Sequence, residues 1–91
     1  MTAKRYASVF DAIADTPQDA ANLRLRADVM QRIAHRIERK GWTQREAAEQ
    51  CGITQPRMND LLRGRLSRFS LDALVNIAAG MGLRVELRTA A

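Results

Sequence analysis

Aromatic side chains are scarce in this 91-residue sequence, with two Phe, one Trp and one Tyr, and there are only two prolines, one cysteine and one histidine. An interior must therefore be built from Leu, Ile, Val, Met and Ala. The lone Cys51 excludes an internal disulfide, and no Cys/His set has metal-ligand spacing. A single thiol suits a reducing compartment. No apolar run approaches the roughly 18–20 residues that span a bilayer. The opening MTAKRYASVFDAIADTP lacks the unbroken apolar core of a signal peptide. A cytoplasmic protein is therefore expected. Paired catalytic carboxylates, a Ser/His/Asp set and a phosphate loop are also missing, so neither catalysis nor a cofactor or metal is expected. His35 stands alone on a long helical pattern and reads as a surface or satisfied histidine.

The charge is uneven. Residues 1–30 carry Lys4, Arg5, Arg24 and Arg26 against Asp11, Asp15, Asp19 and Asp28, so the formal surplus of +5 lies entirely after residue 30. A basic segment of this kind points to an anionic partner, with nucleic acid the first candidate.

The chain length suits one domain, read as an N-terminal segment 1–15 followed by a unit 16–91. Tyr6, Val9, Phe10 and Ile13 recur at helical spacing and predict a short helix around Ala7–Ala14. That helix either closes the core or offers a surface to a protein partner. Thr16, Pro17 and Asp19 mark a helix start. The helix runs to Lys40 with Leu23, Ala27, Met30, Ile33, Ala34 and Ile37 as its apolar stripe, and Gly41 stops it. Trp42 packs over the helix ends or lies near a bound backbone.

The next stretch, TQREAAEQCGITQPRMNDLLRG, holds two short helical patterns. Thr43 and Glu46 form a capping box, the first helix ends at Cys51, and Gly52 turns the chain. Thr54 caps a second helix, Gln55 to about Arg63, which Gly64 ends. Two helices joined by a short Gly-containing turn form a helix-turn-helix. Small Ala47 and Ala48 permit a close crossing, Ile53 plugs the angle, Met58 and Leu61 face inward, and Cys51 serves as a small apolar filler. RLSRFS reads as a loop, and Ser70 or Ser67 caps a last helix carrying Leu71, Leu74, Val75, Ile77 and Ala78.

Leu83 to Arg88 alternates apolar and charged residues, the period of a strand, with no second strand in the chain to pair it. The simplest partner is the same strand of a second copy. An antiparallel crossing at Val85 sets Leu83 opposite Leu87 and Arg84 opposite Glu86. The alternative is a tail packed on its own domain.

The stretch from Gln44 through Ala47, Ala48, Gly52, Ile53, Met58 and Leu61 resembles the helix-turn-helix of Xre/lambda-repressor-like proteins. The continuation LSRFSLDALVNIAAGMGLRVEL is similar to a subgroup whose members often act as HigA-type antitoxins. The resemblance spans about residues 16–88. It implies a mainly α fold of four to five helices with one C-terminal β-strand pairing across a homodimer. It also implies a DNA-binding repressor that neutralises a HigB/RelE-like ribonuclease toxin and represses its own operon. A stand-alone Xre-family regulator without a toxin partner is the alternative, as is a dimerisation module that binds no DNA.

A recognition helix meets the major groove with its N-terminal residues, which here are Thr54, Gln55, Pro56, Arg57, Asn59 and Asp60. Gln can bond adenine in a bidentate way and Arg can do so to guanine O6 and N7. Pro56 can touch a thymine methyl. Asp60 either accepts from cytosine N4 or only shapes the face. Phosphate contacts are assigned to Arg45, Arg63, Arg65 and Arg68, whose planar forks suit phosphate, and by resemblance to Gln44. The dimer strand is assigned Leu83, Arg84, Val85, Glu86 and Leu87.

Overall fold

Capping residues decide where each helix begins. In the computed structural model, which describes residues 16–90, Thr16 Oγ1 accepts from the Asp19 amide at 3.0 Å and opens α1, Pro17–Lys40. Thr43 opens α2, Gln44–Cys51, with the reciprocal capping box complete: Glu46 N donates to Thr43 Oγ1 and Thr43 N to Glu46 Oε1. The bond from the Thr43 amide holds the Glu46 carboxyl below its usual range. Thr54 opens α3, Gln55–Leu62, and Ser70 opens α4, Leu71–Gly80, each accepting the amide three residues on. A single 3-10 turn, Leu66–Arg68, lies between the last two helices. The helix expected around Ala7–Ala14 falls outside the described residues.

The helices wrap one core. α1 packs most extensively on α4, α2 crosses α3, and the 3-10 turn lies against α1. From α1 the core takes Val29, Met30, Ile33 and Ile37; the α2–α3 crossing adds Ala47, Ala48, Cys51, Met58 and Leu61; α4 adds Leu74, Ile77 and Ala78. Two readings of the sequence need correction. Leu23 and Ala34 are only half-buried, while Val29 is buried beside α4 and the C-terminal segment. The covered face of α1 is thus shifted round the helix by its α4 partner. RLSRFS is also more than a loop, because Phe69 in it is only 1% exposed and among the largest fully buried side chains.

The C-terminal segment forms no strand within the single chain. Among the described residues there is no strand. The Leu83 amide bonds Ala78 O at 2.9 Å, and no amide after it bonds another described residue. The alternation nevertheless persists. Leu83 and Val85 are half-buried against the core, Arg84 and Glu86 face out and pair at 3.1 Å, and Leu87 stays 68% exposed. The single chain therefore packs the first two apolar residues on its own domain. A strand needs a partner for its backbone groups, and the described residues of one chain supply none. No described helix is long and apolar enough to cross a membrane.

The α2–α3 turn requires a left-handed residue. Gly52 has φ +69 and its amide reaches the Ala48 and Glu49 carbonyls. A Cβ there would meet nothing within 4 Å, so the backbone conformation alone sets the cost of a side chain. Gly52→Ala is expected to lower unfolding stability by about 1 kcal/mol in urea denaturation. An unchanged midpoint would show that the turn tolerates an L side chain.

Candidate nucleic-acid interface

The α2–α3 crossing is tight because its contact residues are small or flexible. Ala47 and Met58 are fully buried, and Ala48 and Leu61 nearly so. Cys51 is buried beside them, and burial pushes its thiol above the usual range. It is a packing residue rather than a reactive one. With these side chains turned inward, the start of α3 is left outward: Thr54, Gln55 and Pro56 are exposed, and Arg57, Asn59 and Asp60 are half-buried. Gln44, at the start of α2, joins this face by donating from Nε2 to Asn59 Oδ1 at 3.3 Å. A residue assigned to phosphate and one assigned to a base are thereby held together.

The arginines fall into two kinds. Arg65 and Arg68 converge on Asp60, with Arg65 Nη1 at 3.4 Å from Oδ1 and Arg68 Nη1 at 3.2 Å from Oδ2. The Asp60 side chain is 18% exposed against 41% and 57% for its partners. Asp60 is thus the shared partner of two guanidinium groups at the surface. Charge-assisted bonds of this kind leave the arginines' other donors available to an anion. Arg63, at the end of α3, is exposed. Arg45 pairs with Glu49 one turn on at 3.5 Å, with both side chains largely in solvent, a contact worth little.

Arg57 behaves differently. Its guanidinium lies 4.4 Å over the Phe69 ring, and Nη1 donates to the Arg68 carbonyl at 3.3 Å. Phe69 is in turn held from beneath. Arg26 on α1 donates from Nη1 to the carbonyls of Leu66 and Phe69, at 3.0 and 3.1 Å, and its Nε bonds Asn22 Oδ1 at 2.6 Å. The sequence reading missed both Phe69 and Arg26. The only local signal for Phe69 was an aromatic residue in a short, mostly polar loop. For Arg26 there was none, since the two carbonyls it bonds lie 40 and 43 residues away.

Contacts thus join Gln44 to Asn59, Arg65 and Arg68 to Asp60, and Arg57 to Arg68, next to the exposed Thr54, Gln55 and Pro56, while Arg45 and Arg63 are not drawn into this set among the described residues. The tail residues Leu83 to Leu87 lie elsewhere, and a groove of about 1050 Å³ between α1 and that tail shares no residue with this face.

The helix-turn-helix domain family matches residues 12–90, and the chain belongs to that family. No curated protein matches the chain. A helix-turn-helix is a unit for reading DNA, with its second helix in the major groove, and here that helix is α3. The exposed polar end of α3 depends on the Thr54 cap. Thr54→Ala is expected to cost about 1 kcal/mol of stability by thermal or urea unfolding. No loss would show that the 3.3 Å cap bond contributes nothing.

Proposed function

We propose that the protein is a sequence-specific DNA-binding transcriptional repressor that acts as a cytoplasmic homodimer, with a binding and not a catalytic role. The observation that carries this reading is the outward polar start of α3 flanked by ordered arginines. Gln55 and Arg57 read base edges, with Thr54, Pro56, Asn59 and Asp60 around them. Gln44, Arg45, Arg63, Arg65 and Arg68 engage phosphates, and those contacts supply much of the affinity while base contacts supply the preference. Replacing Arg57 with Ala should cost about 1–3 kcal/mol against the preferred duplex and relax specificity at one position. Replacing Arg65 with Ala should weaken binding to all duplexes alike and lower the salt slope by about 1. Equal loss of specificity from both changes, in gel shifts at fixed salt, would contradict the division of roles.

The homodimer is proposed through residues 83–88. Support comes from the amides after Leu83, which have no partner among the described residues, and from Leu87, an apolar residue left in solvent at the end of an alternating run. In an antiparallel pair crossing at Val85, the Arg84–Glu86 ion pair within each chain gives way to pairs between chains. Such a cross-strand pair is worth about 0.2–1 kcal/mol. A two-fold dimer matches a palindromic operator with half-sites about 34–36 Å apart, and joining two half-sites raises affinity through effective concentration. A chain ending at Gly82 should sediment as a monomer. One that remained fully dimeric would refute this interface.

By its resemblance to HigA-type proteins, the repressor is the antitoxin of a type II toxin–antitoxin module, neutralising a HigB/RelE-like ribonuclease and repressing their shared operon. Co-purification with the product of an adjacent small toxin gene tests this. With no such gene beside it, the protein is a stand-alone Xre-family regulator.

A further inference from the structure

We propose that Phe69 and Arg26 are positioning residues for base reading by Arg57, so that specificity on α3 is set in part by a residue of α1. The proposal rests on the DNA-binding reading above. A guanidinium stacked by its face keeps its in-plane donors free. Arg57 sets its guanidinium carbon over the Phe69 ring, 4.4 Å from its centre, and Nη1 on the Arg68 carbonyl. Its Nε and Nη2 have no partner among the described residues, and that edge is the two-donor fork that fits guanine O6 and N7. An unrestrained arginine would lose several rotatable bonds on binding, whereas a side chain already laid on a fixed ring loses fewer.

The ring is fixed for two reasons. Phe69 is 1% exposed, so the core holds it from below. Its own carbonyl, just after the 3-10 turn, and that of Leu66, at the start of the turn, both bond Arg26 Nη1, whose fork is held in place by Asn22. The same turn supplies the Arg68 carbonyl that holds Arg57 Nη1. Arg26 thus fixes both the surface under Arg57 and the acceptor beside it. A lysine, with one ammonium and no fork, does not reproduce this set.

The test uses the full chain. A duplex is first enriched from a randomised library by the wild-type protein, and the base pair whose preference Arg57→Ala abolishes is then exchanged. Discrimination is the ratio of the two dissociation constants. Phe69→Leu and Arg26→Met are each expected to lower that ratio by about tenfold, the loss of one bidentate contact. In an Arg57→Ala background neither should lower it further, because the three residues act as one unit. Equal weakening of both duplexes, adding to the effect of Arg57→Ala, would mean that these residues only stabilise the fold, and would overturn the proposal.

A second readout needs no DNA. The Arg57 Nε–Hε resonance of the free protein should carry an upfield ring-current shift that Phe69→Leu removes and Arg26→Met reduces. Absence of that shift in the wild type would overturn the positioning claim. Failure of the wild type to enrich any duplex would overturn the DNA-binding reading, and with it the proposal. In that case a retained ring-current shift would trace the failure to DNA binding rather than to the packing of Arg57.

Discussion

Everything on the outward face follows from how closely α2 can approach α3. Ala47 at zero exposure and Ala48 at 3% leave room for Met58 and Leu61 to seat against α2. Gly52, at φ +69, lets the chain reverse between the two helices. Once Met58 and Leu61 are committed inward, the helical period leaves no choice for the rest of α3, and its first turn must face solvent. A bulkier residue at Ala47 would force the helices apart and re-aim that turn. The angle at which Gln55 and Arg57 are presented is therefore a packing property before it is a recognition property.

Two layers of ion pairing and stacking then refine the face. Asp60 draws Arg65 and Arg68 to the same edge of α3, and Phe69 carries Arg57. The 3-10 turn Leu66–Arg68 belongs to both layers, and it is tied to α1 through Arg26. Three of the arginines, Arg57, Arg65 and Arg68, are thus held at defined places. That is what recognition of a regular, polyanionic double helix requires, because phosphate contacts fix register and base contacts depend on it.

Much of this was legible from local pattern. Thr16, Thr43, Thr54 and Ser70 cap the helices where a hydroxyl before a helical run indicates, and Gly41 and Gly52 end helices in the left-handed region. These signals work because the interactions span three or four residues. The inward set of Ala47, Ala48, Met58 and Leu61 was legible for the same reason. What escaped was non-local. The bonds from Arg26 to the 3-10 turn join residues 40 and 43 apart, and no pattern in either segment announces the other. Phe69 looked like a loop residue because its burial comes from the core that folds round it. The pairing of Asp60 with Arg65 and Arg68 escaped as well, because nothing on α3 announces which arginines beyond its end will approach it. The tail shows the converse case. Its period was correctly read as alternating, yet alternation does not specify which backbone completes a strand.

The central claim is that the face around the start of α3 is where DNA binds. Amide and side-chain NMR shifts of the full chain, followed as a selected duplex is titrated in, test it most directly. The account predicts perturbations concentrated at Gln44–Arg45, Thr54–Asp60 and Arg63–Arg68, with the groove between α1 and the C-terminal segment largely undisturbed. Perturbations centred on that groove, with α3 unaffected, would contradict it.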